Sequence, residues 1–322
     1  MGLDTVEALG SYRDPQTGIE ERFVDLVLGG ARSVGVLSSP LLDGQPTAWL
    51  IAHGFGAEQV NLQPMEVALA RALAAAGFPV LRYHGQGYGD SERPSEAVTL
   101  DSHLVDASDA VDALVAATGL TRVAVIGARV GGSVAAVTAA RLGLPAVALL
   151  DPVVDGDRYA RSLLRLGLAV ELAAEGRPRD RAADPEELID AGRFQVLGFP
   201  VGRALFDELR AFDLRAEVSA FRGDALVVQV SSSTEPRADL EALVGTIRSA
   251  GGHASMAVVA DPEARTFGQD RYRTTADGGK ADAQSSVAGR LVARTVAWCR
   301  AAGCEDRASG AEHRPRAAGG DP

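Results

Sequence analysis

Residues 123–133, VAVIGARVGGS, join a β-branched run to a Gly127-x-x-x-Gly131 turn and then to small residues of helical character. The side chain at the centre of that turn is Arg129, a permanent cation with a forked set of donors. Val130 opens the following helix, whose first amides and dipole favour anions. A cation there is disfavoured by about 0.3–1 kcal/mol, so Arg129 needs a negative partner. Two partners are open and can alternate: Asp151 or Asp155 at the end of the neighbouring strand, or a carboxylate or phosphate ligand. Two further motifs carry groups that titrate near neutral pH. One is His53-Gly54-Phe55-Gly56; the other is Gly87-Tyr88-Gly89-Asp90-Ser91, which follows Arg82-Tyr83-His84. His53 reads as a loop-shaping residue and Tyr88 as a wall of the site.

Two residues offer alternative chemistry. Ser133, within Gly131-Gly132-Ser133-Val134-Ala135, becomes a candidate nucleophile if the turn lies four residues later. That would run the strand through Arg129 and two glycines, which suits a strand poorly; otherwise Ser133 is a small helix-packing residue. His84 is either a base beside the site or a ring that holds the glycine loop by its backbone. Asp151, Asp155 and Asp157 have the residue type of a metal site, but strand-end and helix-capping roles account for them. No metal and no cofactor is expected.

The elements that must position these residues alternate strictly. Two strands flank Gly29-Gly30 within 20–40, followed by a buried strand running into a glycine-rich loop over 47–56, a helix from Asn61 to Ala76 with Pro64 in its first turn, and strand 78–85. Apolar residues at helical spacing from Leu100 to Val115 precede strand 122–127, helix 130–142 and strand 146–150. Residues 155–222 lack a buried strand and read as a helical insertion. The alternation resumes with strand 225–231, helix 236–250, strand 256–260 and helix 285–302. Fully apolar strands between helices imply a parallel sheet covered on both faces. The domain is placed at 20–304, with a separate segment 1–19 before it and a disordered tail 305–322 after it.

The three motifs fall at the C-terminal ends of successive strands, where open α/β sheets hold ligands. In that order and spacing they resemble the α/β-hydrolase fold, particularly its serine-aminopeptidase and esterase-like members, over roughly residues 20–302. GYGDS, GARVGG and LLDPVVDGDRYARSLLR (149–165) more narrowly resemble the hydrolase-like proteins associated with the exosortase system, one branch of which carries Arg at this turn. The resemblance implies a hydrolase with a small helical cap, a nucleophile on the turn, and an oxyanion hole formed by the amides of Phe55 and Val130. It places the acid after strand 225–231, where Ser231-Ser232-Ser233-Thr234-Glu235 stands, and the histidine after strand 256–260. That loop, DPEARTFGQDRYRTTADGG, holds none of the five histidines, His53, His84, His103, His253 and His313. Nucleophile and base are both missing from their places and the acid is doubtful, which speaks against ordinary serine hydrolysis.

Composition excludes several classes. The chain of 322 residues carries a net charge of −11, which argues against nucleic acid and anionic membrane surfaces. Lys280 is the only lysine, so an arginine is informative here by position rather than by presence. Cys299 and Cys304 have neither zinc-ligand spacing nor the density of a disulfide scaffold. The start, MGLDTVEALG, has no basic region or apolar core of a signal peptide, and no apolar run reaches the roughly 20 residues of a membrane span. The expectation is a cytoplasmic protein that binds a small anionic or acyl-type ligand, or a protein partner.

Overall fold

The apolar runs become strands of one mixed sheet in a computed structural model that describes residues 10–42, 44–175, 185–260 and 287–304. The strands are β1 (Ser11–Asp14), β2 (Ile19–Leu28), β3 (Ala31–Pro40), β4 (Thr47–Ala52), β5 (Val80–Tyr83), β6 (Arg122–Ala128) and β7 (Ala146–Leu150), with a two-residue pair, β8 (Gln195–Val196) and β9 (Phe199–Pro200), outside the main sheet. β10 (Asp224–Ser231) and β11 (His253–Ala260) complete it. The order is β1-β2-β3-β5-β4-β6-β7-β10-β11. From β5 to β11 every pairing is parallel, as the strand–helix alternation requires. β1, β2 and β3 meander antiparallel along one side. Gly29 and Gly30, both at positive φ, form the tight turn between β2 and β3.

Helices cover both faces. α1 (Ala57–Ala75) buries Leu62, Met65, Leu69 and Leu73 on one face, beside Leu291 and Cys299 of the last helix. α2 (Leu100–Thr118) and α3 (Val130–Leu142) cover the other with Leu104, Val111, Leu114, Val134 and Val137. Thr99 and Ser102 form a reciprocal capping box at the start of α2. After β7 come α4 (Gly156–Glu175), α5 (Pro185–Asp190), the β8–β9 hairpin, α6 (Arg203–Ala211) and α7 (Leu214–Glu217). α8 (Ala238–Ser249) and α9 (Val287–Cys304) close the chain order.

The structure departs from the sequence reading at several points. The sheet takes in residues 11–14, ahead of the expected boundary at 20. α1 starts at Ala57, not Asn61, because the helix begins directly off the glycine loop; Pro64 therefore sits two turns in. It is tolerated because Pro64 and Val60, whose carbonyl loses its partner, both face solvent. The insertion read as helical includes the β8–β9 hairpin. His253 is the first residue of β11 rather than a residue before it, paired in register with Asp224 at the end of the sheet away from the motifs. The loop 261–286, the tail 305–322 and residues 1–9 lie outside the described residues. Among the described residues no helix is long and apolar enough to cross a membrane.

Candidate functional site

The turn between β6 and α3 places Arg129 at φ 55° and ψ −125°. A non-glycine residue in such a conformation costs about 1–3 kcal/mol and persists only where its surroundings enforce it. Here they do. A Cβ at Gly127 would stand 2.1 Å from the Gly131 carbonyl oxygen, and one at Gly131 would stand 2.4 Å from the Ala52 carbonyl oxygen. Strand, turn and helix therefore pass closer than any side chain allows. The Arg129 amide donates to the Leu150 carbonyl at 3.0 Å, and its carbonyl accepts from the amides of Gly132 at 3.0 Å and Val153 at 3.3 Å. Gly56 has the same dihedral pair, φ 54° and ψ −125°, where β4 turns into α1. The starts of α1 and α3 thus come from two equivalent turns on adjacent parallel strands.

The Arg129 guanidinium is held on two sides. Its Nε donates to Glu58 Oε1 at 3.2 Å, and its Nη1 donates to Asp151 Oδ2 at 2.8 Å and to the Asp151 carbonyl at 3.2 Å. Arg237 Nη1 donates to the other carboxylate oxygen of Asp151 at 2.9 Å, and its Nε donates to Asp239 at 3.1 Å. Glu58 and Asp151 are almost wholly buried. Burial works against the charge on Arg129, but the Glu58 and Asp151 carboxylates outweigh it and raise its pKa. Burial raises the Glu58 carboxyl, against the pull of Arg129. The Tyr159 hydroxyl and the Val130 amide also face Glu58. Neither reaches good hydrogen-bond geometry, and Glu58 Oε2 and the Tyr159 hydroxyl stay without a full partner.

Of the two internal partners open for Arg129, the structure selects Asp151. Asp155 does not pair with it: its carboxylate caps α4, accepting from the Arg158 amide at 2.9 Å, and its backbone bridges to Asp213. Glu58, Tyr159 and Arg237 are site residues that the sequence reading missed. Glu58 could have been found as an acid in the first turn of the helix that follows the glycine loop, a place where carboxylates are favoured. Arg237 and Tyr159 reach the site from distant segments and carry no such local signal.

The remaining candidates hold the loops. His53 is buried; its Nδ1 bonds the Gly54 carbonyl at 2.8 Å and its Nε2 accepts from the Gly85 amide at 3.1 Å. Those partners assign the proton to Nδ1. Burial pushes the His53 pKa down to about 4, so the ring is neutral at ordinary pH. His84 Nδ1 lies 3.1 Å from both the Asp90 amide and the Asp90 carboxylate, so the ring holds the GYGDS loop. Tyr88 is buried, and its hydroxyl accepts from the Gly56 amide at 2.8 Å. It braces the glycine loop rather than facing open space. Phe55 is buried and its carbonyl accepts from the Glu58 amide. Ser133 is buried in α3, where its hydroxyl donates to the Val153 carbonyl at 2.6 Å. At the end of β10 the Ser231 hydroxyl donates to the Ser233 carbonyl at 2.6 Å and accepts from the Ser233 amide at 3.2 Å, and Glu235 is exposed.

Above Arg129 lies a cavity of about 310 Å³, floored by Arg129 and Pro152–Val154 and walled by α4 and by Arg237 and Asp239. What this arrangement can do chemically is attract and orient an anion. Among the described residues, no group of three or more His, Cys, Asp or Glu is placed to hold a metal ion.

The model of the alpha/beta hydrolase fold family matches residues 48–233. Among solved structures, Est1E from Butyrivibrio proteoclasticus with ferulic acid bound has a TM-score of 0.57 at 20% identity, over 74% of this chain and 89% of that one. DcsB in complex with its substrate analogue has a TM-score of 0.59 at 13% identity, over 88% and 100%. An esterase from Pyrococcus furiosus has a TM-score of 0.57 at 12% identity, over 90% and 93%. At these identities the likeness is one of fold. No curated protein matches the sequence closely enough to serve as a relative.

Proposed function

The chain belongs to the α/β-hydrolase fold family, and from that premise we propose that it is a binding member with a degenerate triad: its turn holds an anion by charge where the family holds a nucleophile. The observation that carries this reading is Arg129. It occupies the strained position at the head of α3, and its guanidinium faces the crevice between Glu58 and Asp151. The Phe55 and Val130 amides are kept as the oxyanion-hole pair of this reading, and the nearest anion to Val130 is an internal one, Glu58. A ligand carboxylate or phosphate competes with that internal anion for Arg129. His53 and His84 are engaged with loop backbone rather than poised to serve a nucleophile.

The esterases among the similar structures favour a second reading, an active hydrolase or lyase that uses Ser133 or His84. The Ser133 hydroxyl bonded to the Val153 carbonyl speaks against it. A cytoplasmic location, a protein partner, and the likeness of GYGDS and GARVGG to exosortase-associated proteins, with its link to surface polysaccharide or protein sorting, complete the proposal and rest on sequence alone.

A thermal-shift screen of carboxylates, phosphates and acyl compounds on the wild type and Arg129→Lys tests it. Lysine keeps the charge between the two buried carboxylates and removes the fork. The expected result is an anion that raises the wild-type melting temperature and does so less in the variant. Anions that act equally on both proteins, or on neither, overturn the reading.

A further inference from the structure

The cavity above Arg129 holds more cations than its internal ion pairs engage. Four arginines line it, Arg129, Arg158, Arg165 and Arg237, against two acids, Asp155 and Asp239. The inner cations are matched: Arg129 by Glu58 and Asp151, and Arg237 by Asp151 and Asp239. Asp155 is engaged in capping α4. Among the described residues the outer two are not matched. Arg158 and Arg165 are exposed, and no ion pair with a described carboxylate engages either guanidinium, whereas Arg161 on the same helix pairs with Asp157.

Their spacing makes a surface. Arg158, Ser162 and Arg165 follow at i, i+4 and i+7, which puts them on one stripe of α4, and all three line the cavity. Tyr159 also lines the cavity, but its hydroxyl is buried and faces Glu58. Three helices begin here. Arg129, Asp155 and Arg237 are the residues immediately before α3, α4 and α8, so the positive ends of three helix dipoles converge on one space. In a chain of net charge −11, such a cleft does not come from general basicity. Apart from Pro152, Val153, Val154 and Tyr159, its lining is polar or charged. At about 310 Å³ it lies at the small end of ligand sites.

We propose that the Arg158–Ser162–Arg165 stripe forms a phosphoryl-binding subsite, which takes a small polar phosphate monoester lying over Arg129. This deepens the anion-binding reading and rests on it. Two guanidinium forks that no described carboxylate engages match a tetrahedral dianion, while the Ser162 hydroxyl between them donates to the Tyr159 carbonyl at 2.7 Å; a single carboxylate would leave one of the arginines unmatched.

The test is calorimetric titration and thermal shift with glucose 6-phosphate, glucose and gluconate at constant ionic strength. The proteins are the wild type, Arg158→Gln, Arg165→Gln and, as a control on the same helix, Arg161→Gln. Glucose 6-phosphate is expected to bind and glucose not to. Its affinity should fall at least about tenfold in Arg158→Gln and in Arg165→Gln, as losing a charge-assisted contact requires. Arg161→Gln should bind as the wild type does. No binding of glucose 6-phosphate, or binding that survives both substitutions, overturns the subsite. If gluconate alone binds, the subsite falls and the anion-binding reading stands. If neither anion binds, both fall.

Discussion

Arg129 is bound so tightly into its surroundings that its removal is a test of the fold as well as of the site. Truncation to Ala leaves Glu58 and Asp151 as buried carboxylates without their shared partner. Breaking a buried pair from one side costs about 3–5 kcal/mol. Arg129→Ala should lose stability of that order in chemical denaturation, and adding Glu58→Gln should restore part of it by removing one orphaned charge. A loss below about 1 kcal/mol would mean that the pairs are solvent-screened surface contacts.

Two buried histidines and a buried glutamate set opposing pH limits. Burial depresses His53 to about 4 and His103 to about 3, from an ordinary 6.5. The unfolded chain therefore takes up protons that the fold refuses, and stability is lost as pH falls from about 6.5 toward 4 and below. Glu66 runs the other way. Burial in α1 raises its carboxyl from 4.5 to about 8, with Arg82 tempering the rise. The fold then holds a proton that the unfolded chain releases, so stability falls as pH climbs from 4.5 to 8. Melting temperatures across this range should peak in between. Glu66→Gln should flatten the alkaline side, leaving the part that belongs to Glu58, and should not change the acid side. An unchanged alkaline slope would contradict the assignment.

At the scale of elements, α1 carries a correctable flaw. Pro64 sits in the exposed interior of a 19-residue helix, where proline is about 3 kcal/mol worse than alanine before its benefit to the unfolded state is discounted. Pro64→Ala should raise stability by about 1–2 kcal/mol in urea unfolding; a fall would show that the proline shapes the approach to the glycine loop. Gly131→Ala should do the opposite, because the added methyl meets the Ala52 carbonyl. Where the sequence was legible, a single physical cause dominated. The fully buried strands β4 and β7 show as unbroken apolar runs, and α3 ends near the expected residue because Gly143 adopts the left-handed conformation there. The starts of α1 and β11 were misplaced because neither has a side-chain cap or a break in hydropathy to mark it. The β8–β9 hairpin was illegible, being two residues to a strand.

For the whole molecule, the three motifs in chain order were enough to infer the fold, since each lies where a parallel strand ends. The site was only half legible. Arg129 and Asp151 come from adjacent strand ends, whereas Glu58, Tyr159 and Arg237 come from α1, α4 and the start of α8, and sequence spacing alone does not bring these together. The assembled picture is a sheet that holds paired charges at the end of its strands where the motifs lie. A reactive serine does not stand at that position. The most direct test is the intact mass of the protein after exposure to a fluorophosphonate probe. Our account predicts an unmodified mass, with Ser133 unlabelled; a covalent adduct on Ser133, or on any other serine, would contradict it.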